Sequence, residues 1–266
     1  MSELPVRQPA VAGSWYPGNP GALRESIQKY TGEATLPDDL GVVHAVIAPH
    51  AGYIYSGPIA GYAFKALTTL PKKRWTVYLM GPAHHMYFRG VALGRYSAFR
   101  TPLGDVPIAT AVVQDMLTRS PLYSHTPQAH APEHCLEIEV PFLQMTLPDF
   151  QLVPMLFGDV DPRDVGAEMV SHIGEDDLVV VSNDMSHFHT HEQAQQLDRL
   201  LLNAVMDDDE MRVMSGEACG RAPIVALMHI AQHNGWKPTL LNYRTSGDTA
   251  GDKLRVVGYA AIAYTG

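Results

Sequence analysis

Short, nearly continuous apolar runs alternate along the chain with segments of helical period. Val42–Ala48, Trp75–Met80 and Leu178–Val181 read as strands buried on both faces, since a half-buried strand would alternate apolar with polar residues. Gln151–Phe157 reads as a further strand, with Pro154 suiting an edge or a strand end. Thr239–Tyr243 and Leu254–Ile262 add β-like sequence beyond these. Between them, Ile59–Leu67 is helical. Ala194, Leu197, Leu200, Leu201, Ala204 and Val205 recur at three-or-four spacing and predict a one-faced amphipathic helix. Ala222–Ala231 is apolar almost all round and predicts a buried helix, with Pro223 in its first turn. Strands alternating with helices predict a single three-layer α/β/α domain over residues 1–266, with a mainly parallel central sheet.

Composition narrows the classes of partner. Of 266 residues, 46% are hydrophobic and 18% charged, which excludes a disordered chain or a coiled coil. With 19 Lys and Arg against 28 Asp and Glu, the net charge is −9, without the basic footprint expected for nucleic acid or an anionic membrane. No apolar run is long enough to span a bilayer, and no secretory leader is visible. The two cysteines, Cys135 and Cys219, make no disulfide scaffold and fit a reducing, cytoplasmic setting.

The chemistry gathers where strands end. In open α/β sheets ligands bind beyond the carboxyl ends of the strands. The three clearest strands run into Pro49-His50-Ala51-Gly52-Tyr53, into Gly81-Pro82-Ala83-His84-His85, and into Asn183-Asp184-Met185-Ser186-His187. Imidazoles on one rim suit a mononuclear metal site, an acid–base site, or both. Asp184 is placed to fix the tautomer of His187. Glu133-His134 precedes a helix-like stretch, where Glu133 is either a carboxylate orienting a ligand or an ordinary helix-start glutamate. Cys219 stands before the buried helix, where a lowered thiol pKa would make it a thiolate ligand or nucleophile; a small buried hydrophobe is the other reading. Trp15, Tyr16 and Tyr53 form either an aromatic wall for a ligand or part of the core. His189 and His191 read as loop histidines. The His-Glu-x-x-His, paired Cys-x-x-Cys, phosphate-loop and Gly-x-Ser-x-Gly signatures are all missing.

Taken in order, Ala10–Tyr16, Ala48–Tyr53, Gly81–His85, Glu133-His134, Asp184-x-x-His187 and Cys219-Gly220-Arg221 resemble the Memo-like proteins, whose bacterial and archaeal branch is called AmmeMemoRadiSam system protein B. The resemblance spans nearly the whole chain and implies a fold like that of the class III extradiol dioxygenases. It implies one redox metal, iron or copper with zinc as a substitute, held by His50, His84 and Cys219. His187 is then the acid–base group, with Asp184 beside it, and Glu133 and His134 orient the ligands. A cysteine in place of the dioxygenase carboxylate softens the donor set, favouring copper(I) or retuning iron. Cys135 and Asn183 stand where the resemblance leads one to expect serine. The implied activity is a metal-dependent oxidoreductase acting on a small molecule or peptide. The alternative is a non-catalytic metal- or protein-binding module. Radical S-adenosylmethionine and AMMECR-type proteins are the implied partners.

Overall fold

The computed structural model describes residues 4–266. Along the chain the strands are β1 (Val6–Arg7), β2 (Val43–Ala48), β3 (Arg74–Pro82), β4 (Val91–Leu93), β5 (Ala98–Thr101), β6 (Gly104–Pro107), β7 (Tyr123–Ser124), β8 (Asp149–Phe157), β9 (Asp177–Ser182), β10 (His187–His189), β11 (Lys237–Thr245) and β12 (Val256–Thr265). The helices are α1 (Pro20–Glu33), α2 (Tyr53–Leu67), α3 (Thr110–Arg119), α4 (Pro127–His130), α5 (Val140–Thr146), α6 (Pro162–Val170), α7 (His191–Met206), α8 (Glu210–Ser215), α9 (Arg221–Asn234) and α10 (Ser246–Thr249).

Nine strands form the central sheet, in the order β10-β12-β2-β9-β3-β8-β4-β7 with β11 on β12. The expected strands β2, β9, β3 and β8 make its parallel centre, while β12 joins β2 and β4 joins β8 in antiparallel fashion. The crossover from β2 through α2 to β3 runs one way across this order, and that from β8 through α6 to β9 runs the other. Right-handed crossovers in opposite directions put α2 and α6 on opposite faces. Accordingly α2 packs with α1, α5, β2 and β12, whereas α6 packs on α9, which covers β3 and β9. Val179, Val180 and Val181 are therefore buried on both sides, as their unbroken apolar run requires.

Pro154 does not mark an edge. It sits inside β8, between β3 and β4. Its carbonyl accepts from the Gly94 N–H just past the last β4 residue, Leu93. The N–H and carbonyl of one strand residue point to the same side, so the missing donor faces the place where β4 has already ended.

A second sheet, β1-β5-β6, was not legible in the apolar pattern. It anchors the segment leading to Trp15. Arg7 and Glu137, both almost fully buried, form an ion pair at 2.6 Å, and Arg7 also donates to the carbonyls of His130 and Glu133. Glu137 accepts further bonds from the backbone N–H groups of Ala10 and Val11 and from the Tyr16 hydroxyl. Removing one partner of a buried pair leaves the other charge uncompensated. Arg7→Ala is expected to destabilise the protein by about 3–5 kcal/mol, measurable as a fall in the urea midpoint at unchanged m-value.

Candidate metal centre

The exits of three parallel strands and the approach to α9 build one rim. His50 follows β2 by two residues and His84 follows β3 by two. The exit of β9 is bonded to that of β2, with the Asn183 N–H donating to Ala48 O (2.9 Å) and the His50 N–H to Asp184 Oδ1 (2.7 Å). Cys219 is tied to the same exit by a reciprocal pair. Its N–H donates to Asp184 O (3.1 Å), and the Asp184 N–H donates to its Sγ (3.2 Å). The Gly220 N–H donates to Asn183 Oδ1 at 2.7 Å, and a Cβ at Gly220 would crowd Asn183 Oδ1 at 2.9 Å and Ser182 O at 3.0 Å, so this close approach favours glycine.

Three donors far apart in sequence thereby converge. One ligand atom each from His50, His84 and Cys219 lies within 4.8 Å of the others, and His50 Nε2 is 3.3 Å from Cys219 Sγ. The Glu133 carboxylate grips His84 twice, accepting from its backbone N–H (2.7 Å) and from Nδ1 (2.9 Å). That leaves His84 Nε2 as the free donor. Glu133 also accepts from the His134 and Cys135 backbone N–H groups. Burial alone would raise the Glu133 carboxyl, but the bonds and charge of His84 and the charge of His134 hold it well below the usual carboxylate range. His134 stacks on His84 with ring centroids 4.7 Å apart, and Trp15 packs at a tilt against His134 with centroids 4.3 Å apart.

Burial, reinforced by neighbouring imidazoles, pushes His50 down to about 3 and His134 down to about 3, so both rings are neutral at pH 7. Burial also pushes Asp184 up to about 6. Cys219 goes opposite to expectation. Burial and the charge of Asp184 raise its thiol well above the usual value, outweighing the backbone N–H groups that favour the thiolate. A coordinated cation reverses that sign, because a ligating thiol is deprotonated outright.

Other expected residues are redistributed. Glu133 and His134 do not open a helix; they lie in an irregular loop ahead of the 3-10 turn Glu137–Glu139. Asp184 bonds the backbone of His50 rather than the ring of His187. His187 sits on β10 at the rim, near enough that its charge acts on both His50 and Asp184, and its N–H donates to Glu217 Oε1. Glu217, which no motif singled out, also binds His189 Nε2 at 2.9 Å. Of the aromatic wall, only Trp15 is exposed. Tyr16 and Tyr53 are buried, their hydroxyls donating to Glu137 and to Ile138 O. A cleft of about 510 Å³ opens on His84, His85 and Cys219, between Tyr87 and Arg221. A second, of about 690 Å³, is bordered by Trp15, Ile54, Tyr55 and Arg255.

Residues 7–263 match the family model described as Memo-like protein. The chain belongs to the Memo-like family. It is 35% identical to a MEMO1 family protein of Methanothermobacter thermautotrophicus, covering 97% of this chain and all of that one. It is 37% identical to a MEMO1 family protein of Methanococcoides burtonii, covering 97% of this chain and 99% of that one. Among solved structures, an uncharacterized protein of Escherichia coli K12 superposes with a TM-score of 0.53 at 12% identity, over 84% of this chain and all of that one, a likeness of fold. The fold of this Memo-like protein is thus seen in a solved structure, and the family that its sequence resembles is the one it belongs to.

Because Glu133 orients His84 by two bonds, Glu133→Ala is expected to lower affinity for zinc, used as a redox-inert probe, by about 10–100-fold. Competition against a chromogenic chelator measures it.

Proposed function

We propose that this Memo-like protein is a mononuclear redox-metal protein, holding iron or copper (zinc as a substitute) through His50, His84 and Cys219, and that it works as an oxidoreductase. The observation that carries this reading is the convergence of two imidazoles and a thiol within 4.8 Å beside an open cleft. Two nitrogens and a sulfur fit iron, copper or zinc and do not fit magnesium or calcium, which take oxygen donors. When bound, such a metal supplies electron transfer and open coordination positions for oxygen or substrate.

The chain's own groups do the rest. His50 is already neutral and needs no deprotonation to ligate. Glu133 holds His84 in the tautomer with Nε2 free, and His134, itself packed by Trp15, stacks on that ring. His187, at the rim beside Asp184, holds or moves a proton for a small-molecule or peptide substrate entering the cleft. On this reading the protein is cytoplasmic, and radical S-adenosylmethionine and AMMECR-type proteins are its partners. Among the described residues, no helix is long and apolar enough to cross a membrane. A second reading, a module that docks a protein or peptide, is favoured by the exposed apolar side chains of Trp15, Ile54 and Tyr55 around the larger cleft.

Anaerobic purification followed by elemental analysis tests the metal. About one iron or copper per chain, lost in Cys219→Ser, is the expected result; no redox metal after reconstitution overturns it. Since the Cys219 thiol is held protonated at pH 7, coordination must release its proton. Metal affinity therefore rises about tenfold per pH unit from about pH 7 to 8.5, a slope absent from Cys219→Ser. Once a substrate is in hand, His187→Ala should slow turnover by about 10²–10⁴-fold at unchanged metal content.

A further inference from the structure

Beneath His50 lies a buried relay that the ligand set does not account for. Ser182, the last residue of β9, is fully buried, and its Oγ has three partners: Cys135 O at 2.7 Å, His50 Nδ1 at 2.8 Å and Glu139 Oε1 at 2.9 Å. A hydroxyl has one proton to give and two lone pairs to receive. The Cys135 carbonyl can only accept, so the serine proton must go there. The other two contacts are then hydrogen bonds only if both partners donate. His50 must carry its proton on Nδ1, and Glu139 must be a carboxylic acid. Any other arrangement sets two acceptors against each other at bonding distance in a buried site.

The surroundings of Glu139 agree. It is fully buried, and its Oε2 has no hydrogen-bond partner among the described residues, as suits a neutral carbonyl oxygen better than half of a carboxylate. Burial pushes its carboxyl well above the usual range and the charge of Asp184 pushes the same way, against the Ser182 bond.

We infer that Glu139 is a buried neutral acid that donates to Ser182 Oγ, and that Ser182, its own proton committed to Cys135 O, is the positioning residue that holds His50 in the Nδ1–H tautomer, with its Nε2 lone pair facing Cys219. An ionised Glu139 would instead compete with Cys135 O for the single serine proton and leave one of the two facing an oxygen lone pair. The use of this tautomer for metal binding rests on the function proposed above; the tautomer itself does not.

The test is made on the metal-free full chain at pH 7. Long-range ¹H–¹⁵N spectra of His50 are compared for wild type, Glu139→Gln, which keeps an N–H donor, and Ser182→Ala, which removes the hydroxyl. The expected result is Nδ1–H alone in wild type and Glu139→Gln, an Nε2–H population in Ser182→Ala, and zinc affinity lowered about 10–100-fold in Ser182→Ala but not in Glu139→Gln. Infrared difference spectra of wild type against Glu139→Gln should lose one protonated-carboxyl band, which decides the charge of Glu139 even should Ser182→Ala not fold. Nε2–H in wild type, a Ser182→Ala spectrum like wild type, or an ionised Glu139 would each overturn the inference. A chain with the expected tautomers that binds no metal would refute the proposed function and leave this relay standing.

Discussion

Glu137 is a carboxylate with almost no access to water, and much of the site hangs from the way its charge is satisfied. The Arg7 guanidinium, the Ala10 and Val11 N–H groups and the Tyr16 hydroxyl all point at it. Burying an ion is costly unless its lone pairs are filled, so these donors cannot drift independently. The first of them belong to the segment that delivers Trp15, and Glu137 itself belongs to the stretch that delivers Glu133, His134 and Cys135. One buried charge thus clamps the aromatic side of the rim to the loop that aims His84.

The seven residues 133–139 hold three buried acids, each in a different condition. Glu133 is held ionised by the histidines it orients, and Glu137 is ion-paired with Arg7. Glu139, with no cation beside it among the described residues, is pushed by burial toward its protonated form. Similar side chains a few positions apart differ because the donors arriving from other elements differ. Such a stretch cannot be repacked piecemeal, since each acid answers to a separate part of the fold.

The central strands were readable because β2, β3 and β9 are covered on both faces, and a strand so covered shows it as an apolar run. His50 and His84 were readable because they stand directly past such strands. What escaped was set by distant neighbours. Two residues of β1 carry no period to detect. The direction of the Cys219 thiol shift differs from expectation because local sequence shows the approach to a helix but not the burial or the Asp184 charge. Tyr16 and Tyr53 look the same in sequence whether they line a cleft or bury their hydroxyls on Glu137 and Ile138. Pro154 suggests an edge or a strand end because the pattern cannot reveal that β4 stops at Leu93.

The strand order also governs when the site can form during synthesis. His50 and His84 leave the ribosome early, yet β9, which lies between β2 and β3, begins only at Asp177, and Cys219 follows later still. Even then β2 keeps one open edge until residues 256–265 arrive to pair with it. Contacts so distant in sequence form slowly, and an unpaired strand is prone to pairing with other chains meanwhile. The emerging chain therefore carries its imidazoles and, later, its thiol in an unfinished sheet, so the interval before β12 docks is when the nascent protein is most exposed to aggregation.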